Sequence, residues 1–459
     1  MKLKHLYIHT FGCQMNHYDS GQMARLLYPM NYVLTDKIGE ADLIILNTCS
    51  IRKKAEQKAF SFLGRLSGLK KQKPDLIIAV GGCVAQQEGK RFLERVHSLD
   101  LVFGTDAVVR LPQLIKRVAR GERPIVDVDT NTGDIDELPV TCSIPLSTRA
   151  TAFVTIMKGC NNHCTYCVVP YVRGSEVSRH HQSIIKEVRS LVDEGVREVT
   201  LLGQNVNSYG VKKGGGCDFP ELLRRVNDIE GLMRIRFTTS HPRDVSEGLI
   251  RSFGTLKKLV PHVHLPIQSG SNRVLKRMNR GYTREFYLEK VERLREIRPD
   301  IAITSDIIVG FPGEKDVDFM ETLDLIRTVG FDGLFIFKYS DRRLAPASKF
   351  PDKVSEEVKQ ERLSELLELQ SSITLEKNRA LVGTVQPVLV EGPSKRSEME
   401  WTGRTPCNRV VNFTAPTDVT VGQLVLVEIE RAFSHSLKGR VGKNNSVWRH
   451  AREGVSYVV

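Results

Sequence analysis

No apolar run in this 459-residue chain is long enough to cross a bilayer, which sets aside the helical membrane classes. Its first residues, Met1-Lys2-Leu3-Lys4-His5-Leu6-Tyr7-Ile8, lack both a long apolar h-region and a small-residue cleavage site. No signal peptide is therefore expected, and a cytoplasmic location is. Acidic residues are scarce relative to basic ones, 54 against 67, giving a net charge of +13. That balance favours a polyanionic partner, with a generally basic, solvated surface as the plain alternative. A second C-x2-C pair is also missing. Of the nine cysteines, Cys160, Cys164 and Cys167 are spaced C-x3-C-x2-C in Met157-Lys158-Gly159-Cys160-Asn161-Asn162-His163-Cys164-Thr165-Tyr166-Cys167. Structural zinc prefers paired spacings that supply four ligands, so a zinc knot completed by His163 is disfavoured. Three thiolates this close can hold three corners of an iron–sulfur cube, leaving one iron open for chemistry. In a cytoplasmic chain the cysteines are metal ligands or spare thiols rather than disulfides.

The length allows about three domains, and 41% hydrophobic residues is ordinary for a soluble globular protein. Residues 1–123 alternate short apolar strands (Leu3–Phe11, Ala41–Cys49, Leu76–Cys83, Leu101–Phe103) with helices (Ser20–Tyr28, Lys53–Lys70, Glu88–Val96, Leu111–Val118). This pattern predicts an open, doubly wound parallel sheet covered on both faces. Cys13, Cys49 and Cys83 each follow the carboxyl end of a strand, where such sheets bind ligands. Gly12, Gly81 and Gly82 let the backbone fold closely around a bulky group. A second metal cluster is expected there; three buried structural thiols are the alternative.

Residues 124–149 are acidic and turn-rich between Val126 and Glu137, lack periodicity, and read as a linker that includes Cys142, to which no role is given. Residues 150–382 carry about six strands: Ala152–Met157, Arg197–Leu202, Met233–Thr238, His262–Leu265, Ala302–Val309 and Gly333–Lys338. Polar residues end each strand, which predicts a partial (β/α)6 barrel working at its carboxyl rim. Lys353–Leu381 reads as one or two trailing amphipathic helices. Residues 383–446 turn to short runs, Thr384–Val390, Trp401–Arg404, Val410–Phe413 and Leu424–Ile429, and predict a small antiparallel β domain. Arg431, Lys438, Arg440, Lys443, Arg449 and Arg452, leading into the tail 447–459, suit a phosphate backbone or form a solvated basic tail.

The C-x3-C-x2-C loop resembles the signature of the radical S-adenosylmethionine (SAM) enzymes. Together with Thr10-Phe11-Gly12-Cys13-Gln14-Met15-Asn16, Asn47-Thr48-Cys49 and Gly81-Gly82-Cys83, the resemblance narrows to the radical SAM methylthiotransferases and covers nearly the whole chain. The last domain is similar to TRAM, an RNA-binding module. Gly403-Arg404-Thr405 and Asn408-Arg409-Val410-Val411-Asn412-Phe413 resemble the branch acting on N6-isopentenyladenosine at tRNA position 37. Pro406-Cys407 stands where polar residues are commoner in that branch.

The resemblance implies two [4Fe-4S] clusters. Cys160, Cys164 and Cys167 would hold the one whose open iron binds SAM; Cys13, Cys49 and Cys83 would hold an auxiliary one carrying the sulfur to be transferred. One SAM would donate the methyl group. A second would give the 5′-deoxyadenosyl radical that takes hydrogen from C2 of the adenine ring. The implied partners are the tRNA anticodon stem-loop, a low-potential electron donor such as flavodoxin or ferredoxin, and a sulfur source; a monomer is expected. Arg173 and Arg179 are candidates for the SAM carboxylate. Gln204, Asn205 and Asn207 are candidates for its ribose or carboxylate, and Gln268, Ser269 and Asp306 for other rim contacts. Ile308-x-Gly310-x-Pro312-x-Glu314 resembles the segment beside the adenine. For each side chain alone, satisfying its own loop is an equal reading. Sister types act on a ribosomal-protein aspartate or on threonylcarbamoyladenosine in tRNA. An RNA-binding iron–sulfur or zinc protein is the non-enzymatic alternative.

Overall fold

The computed structural model describes residues 3–49, 53–130, 149–211, 215–395, 397–415 and 419–442. The chain divides into two compact units, one of residues 1–146, 155–161 and 167–183, the other of 147–154, 162–166 and 184–459. Among the described residues no helix is long and apolar enough to cross a membrane.

The first unit runs β1 (Lys4–Thr10), α1 (Gln14–Leu27), β2 (Tyr32–Leu34), β3 (Leu43–Thr48), α2 (Lys53–Gln72), β4 (Ile77–Gly82), α3 (Cys83–Glu88), α4 (Arg91–Arg95), β5 (Leu101–Phe103), α5 (Leu111–Ala119) and β6 (Ile125–Asp127). The six strands lie in the order β2-β1-β3-β4-β5-β6, and every pair is parallel. Every residue of β3 and β4 is buried, which explains their unbroken apolar runs. Leu43, Ile45, Ile77, Ala79 and Leu101 pack with Met23 and Leu27 of α1 and Leu114 and Val118 of α5. The alternate residues Ile44, Leu46, Ile78, Val80 and Val102 pack with Leu63 and Leu66 of α2 and Val84 of α3. Two strands were not foreseen, and both are only three residues long. One of them, β6, lies inside the expected linker: Ile125 pairs with Leu101 and extends the sheet. Residues 131–148 of that stretch, with Cys142, lie outside the described residues. The first helix also starts earlier than expected, directly after Cys13.

Beyond the first sheet come β7 (Thr151–Thr155), a two-residue antiparallel ribbon of β8 (Met157–Lys158) with β9 (Val177–Ser178), and α6 (Val169–Arg173). There follow α7 (His181–Asp193), β10 (Glu198–Leu202), α8 (Phe219–Asn227), β11 (Arg234–Thr238), α9 (Glu247–Thr255) and β12 (His262–His264). Next are α10 (Asn272–Arg277), α11 (Arg284–Ile297), β13 (Ala302–Val309), α12 (Asp316–Val329), β14 (Gly333–Lys338) and α13 (Glu356–Arg379). The six longer strands fall on the six expected segments. They form two three-stranded sheets, β11-β10-β7 and β12-β13-β14. Asp218, Ser246, Thr283 and Ser355 start their helices by accepting a backbone N–H in the first turn, as N-caps do. The trailing segment is one helix, and its Lys377 pairs with Asp332 at 3.0 Å.

The chain then closes a five-stranded barrel of β15 (Val385–Ser394), β16 (Ser397–Arg404), β17 (Val410–Thr414), β18 (Leu424–Ala432) and β19 (Leu437–Val441). Its core is Val388, Val390, Val411, Phe413, Val425, Val427, Ile429 and Leu437. Two expectations are corrected here. The barrel is not wholly antiparallel, because β17 and β19 pair in parallel. Part of the segment read as basic tail is β19 itself, where Lys438 pairs with Glu400 at 2.6 Å and Arg440 with Glu428 at 3.3 Å. Lys443, Arg449, Arg452 and the tail 447–459 lie outside the described residues. A buried polar joint ties the barrel to β10 and β11. Glu198 accepts from Arg236 at 2.7 Å, with Arg234 at 3.8 Å. Arg236 donates on to the carbonyls of Thr405 (2.9 Å) and Pro406 (2.8 Å), and Arg234 to those of Arg404 (2.8 Å) and Pro387 (3.0 Å).

Candidate metal centres and cofactor rim

Strands β1, β3 and β4 are neighbours, with Thr10 opposite Asn47 and Thr48 opposite Gly82. The exits bearing Cys13, Cys49 and Cys83 therefore leave one edge of the sheet side by side. Side chains stitch these exits together. Asn16 Nδ2 donates to the carbonyls of Phe11 (3.2 Å) and Thr48 (2.8 Å) and to Asn47 Oδ1 (3.1 Å). Asn47 Nδ2 returns bonds to Asn16 O (2.8 Å) and Ser20 Oγ (2.9 Å). Thr48 Oγ1 donates to Gly81 O at 2.6 Å and accepts from Ala85 N at 3.3 Å, which fixes the third exit. Gly12 has φ +127°, and a Cβ there would overlap the Cys49 side chain. A Gly12→Ala variant is expected to fold but to hold roughly half the iron of the parent after reconstitution, because a left-handed residue and the first exit must both shift. Iron analysis checks this.

The chemistry of the set fits an iron–sulfur group. The donors are three thiols, and the Cys13 thiol is pulled down to about 6, first by its hydrogen bond with Cys49 and then by the Arg173 charge, against burial. Burial pushes the Cys83 thiol up. Among the described residues no three His, Cys, Asp or Glu side chains converge on one point as a single metal ion requires. Ligands of a cluster bind different irons and need not converge so tightly. Arg173, a sequence candidate for the SAM carboxylate, sits among these cysteines: it pairs with Asp19 at 2.8 Å, and its charge acts on Cys83 and Cys13.

In the C-x3-C-x2-C loop, Cys160 and Cys164 are buried and Cys167 partly so. Gly159 has φ +74°, and a Cβ there would overlap the Ser175 carbonyl. Cys160 N donates to Gly174 O at 3.2 Å, and Cys167 Sγ accepts from Val169 N at 3.4 Å. Around Cys164, Thr165 N donates to Met278 O (3.0 Å) and Thr165 O accepts from Ala347 N (2.8 Å). Cys164 Sγ accepts from Arg280 Nη1 at 3.4 Å. Sequence reasoning missed Arg280: it lies 116 positions away, just after α10 and beside Asn279, whose φ is +58°. His163 is exposed, unlike a ligand of a closed structural zinc site.

On the rim of β10 and β11, four buried polar atoms have no hydrogen-bond partner among the described residues: Gln204 Oε1, Asn207 Oδ1, Ser240 Oγ and His241 Nδ1. Buried polar atoms are almost always paired, so four together suit a polar ligand. Sequence reasoning chose Gln204 and Asn207 but not Ser240 or His241. Asn205 organises the group, accepting from His241 N (3.2 Å) and donating to Asp244 (2.7 Å). Gln268 has φ +77° and bridges Asp306 and Ile308 through its backbone. Asp306 faces His264 Nε2 at 3.5 Å. Three other candidates are engaged within the protein. Arg179 donates to Thr155 O at 2.7 Å. Ser269 Oγ accepts from Ser271 N at 3.2 Å. Glu314 pairs with Arg362 at 2.8 Å and accepts from Gly310 N at 3.0 Å, where Gly310 has φ +68°.

Burial, then Arg280 and Arg243, hold His241 down to about 2, while Asp244 stands 4.0 Å away. In the unfolded chain it titrates near 6.5. Below that pH the unfolded state binds a proton that the folded state refuses. Stability is therefore complete above about 6.5 and falls on acidification, by up to about 1.4 kcal/mol per pH unit for one such site. His262, held low by burial and by Arg236, His264, Arg404 and Arg409, acts in the same direction. Melting temperature measured against pH should show a shallower acid slope in His241→Gln than in the parent.

Residues 5–104 match the uncharacterized protein family UPF0004, residues 154–326 the radical SAM superfamily and residues 379–441 the TRAM domain. The chain is 54% identical to the tRNA-2-methylthio-N(6)-dimethylallyladenosine synthase of Desulfosudis oleivorans, over 95% of this chain and 96% of that one. It is 53% identical to the enzyme of the same name from Syntrophus aciditrophicus (95% and 94%) and 48% identical to that from Carboxydothermus hydrogenoformans (96% and 99%). Among solved structures, it is similar in fold to the radical SAM methyltransferase TsrM of Kitasatospora setae, with a TM-score of 0.58 at 12% identity over 84% of this chain and 81% of that one.

Proposed function

Since this chain belongs to the tRNA-2-methylthio-N(6)-dimethylallyladenosine synthases, a branch of the radical SAM enzymes, we propose that it adds a methylthio group at C2 of N6-isopentenyladenosine 37 in tRNA. One SAM is the methyl donor and a second the radical source. The observation that carries this is the meeting of Cys13, Cys49 and Cys83 at neighbouring strand exits in a chain that also bears the C-x3-C-x2-C loop.

As a radical SAM enzyme the chain uses a [4Fe-4S] cluster and SAM. Cys160, Cys164 and Cys167 would hold that cluster, and Cys13, Cys49 and Cys83 a second one. When bound, these groups supply the sulfur, the methyl group and the radical that opens an aromatic C–H with no usefully acidic proton. The protein's own task is placement. Gln204, Asn207 and Asp306 offer polar groups to SAM, Gly310 and Gln268 offer close backbone, and Arg179, Ser269 and Glu314 hold the rim in shape. Arg173, paired with Asp19, holds its charge beside the auxiliary cysteines. The first sheet is read as doubly wound, and the two three-stranded sheets as halves of a partial (β/α)6 barrel. The C-terminal barrel takes the anticodon stem-loop, a low-potential flavodoxin or ferredoxin supplies electrons, and the enzyme works as a cytoplasmic monomer fed by a separate sulfur source.

The test is direct. Reconstituted protein is incubated with SAM, reductant and tRNA carrying isopentenyladenosine, and the digested nucleosides are searched for the 2-methylthio product. Product from threonylcarbamoyladenosine tRNA alone, or from a ribosomal protein alone, would reassign the substrate.

A further inference from the structure

Arg280 is buried, with 4% of its surface exposed, and every arm of its guanidinium is fixed. Its Nη2 donates to Pro266 O at 2.8 Å and its Nε to Tyr282 Oη at 2.8 Å. Its Nη1 lies 3.2 Å from Tyr166 Oη and 3.4 Å from Cys164 Sγ. Tyr282 is itself anchored on Ile267 O at 3.0 Å, so the fork is held from the exit of β12. Its partners are two phenols, a carbonyl and a thiol. A buried cation with neutral partners alone is costly; an ionised thiolate would offset its charge.

We propose that Arg280 is a positioning residue for the SAM cluster: its guanidinium bonds the Cys164 thiolate and makes the cluster held by Cys160, Cys164 and Cys167 easier to reduce. Hydrogen bonds to the sulfurs and net charge are what set the potential of such clusters. A fixed positive charge favours the form carrying the extra electron. The sulfur of Cys167, by contrast, receives a backbone amide, that of Val169.

The inference rests on the assignment of those three cysteines, and the experiment separates the two. The full chain carrying Cys13→Ala, Cys49→Ala and Cys83→Ala retains a single cluster site. It is reconstituted as such and with Arg280→Lys or Arg280→Gln added. Iron and sulfide are counted, and the midpoint potential is followed by electron paramagnetic resonance. About four irons in each protein are expected. The potential should move to more negative values in Arg280→Gln and move less in Arg280→Lys. Formation of 5′-deoxyadenosine should fall further with a weak reductant than with dithionite. An unchanged potential in Arg280→Gln at full iron overturns the proposal. So does equal loss of iron from both variants, which would make the role structural only. A parent without iron would instead overturn the ligand assignment.

Discussion

Replacing Cys13, Cys49 and Cys83 together by alanine is expected to lower the iron content of the reconstituted protein from about eight to about four atoms per chain. SAM cleavage to 5′-deoxyadenosine should remain measurable, while the methylthio nucleoside disappears. The reason lies in the division of the cysteines into two sets on separate loops. Cys13 Sγ donates to Asn16 Oδ1 at 3.5 Å, but the bonds from Asn16 Nδ2 to Thr48 O, from Asn47 Nδ2 to Asn16 O and from Thr48 Oγ1 to Gly81 O are made without a thiol, so the sheet should survive the loss of all three cysteines. The reciprocal replacement of Cys160, Cys164 and Cys167 should also leave about four irons but bring 5′-deoxyadenosine to background. Retained methylthiolation in the first variant would remove the case for a second cluster.

Glu198→Ala should be among the most damaging changes outside the cysteines. Glu198 is buried between Arg236 at 2.7 Å and Arg234 at 3.8 Å. Removing one partner of a buried ion pair costs about 3–5 kcal/mol, because the remaining charge is left without its counterpart. Here two guanidiniums lose it together, and both hold the C-terminal barrel. A fall in the urea midpoint is expected, with a rise of about tenfold or more in KM for tRNA if the docking energy is lost. SAM cleavage without tRNA should be little affected. An unchanged denaturation midpoint would mean that the joint contributes little.

How far the sequence could be read depended on whether a feature was local. The exits carrying Cys13, Cys49 and Cys83 were legible because β3 and β4 are buried on both faces and print as unbroken apolar runs. Tyr32–Leu34 and Ile125–Asp127 were not, since three residues give too little pattern, and Asp127 sits in an acidic stretch. The strand Leu437–Val441 was hidden by Lys438 and Arg440, whose charges point to surface while their backbone closes a barrel. Arg173 stands close to the SAM loop in sequence, yet it meets Asp19, 154 positions away. Arg280 reaches Cys164 across 116 positions of sequence. Partners that distant are chosen by topology, which residue spacing does not record.

The joint under the C-terminal barrel has a consequence for how that module can drift. Arg234 and Arg236 donate to the carbonyls of Pro387, Arg404, Thr405 and Pro406, and not to their side chains. A carbonyl is the same whatever residue bears it. The core thus grips the C-terminal barrel by a handle that is blind to residue type.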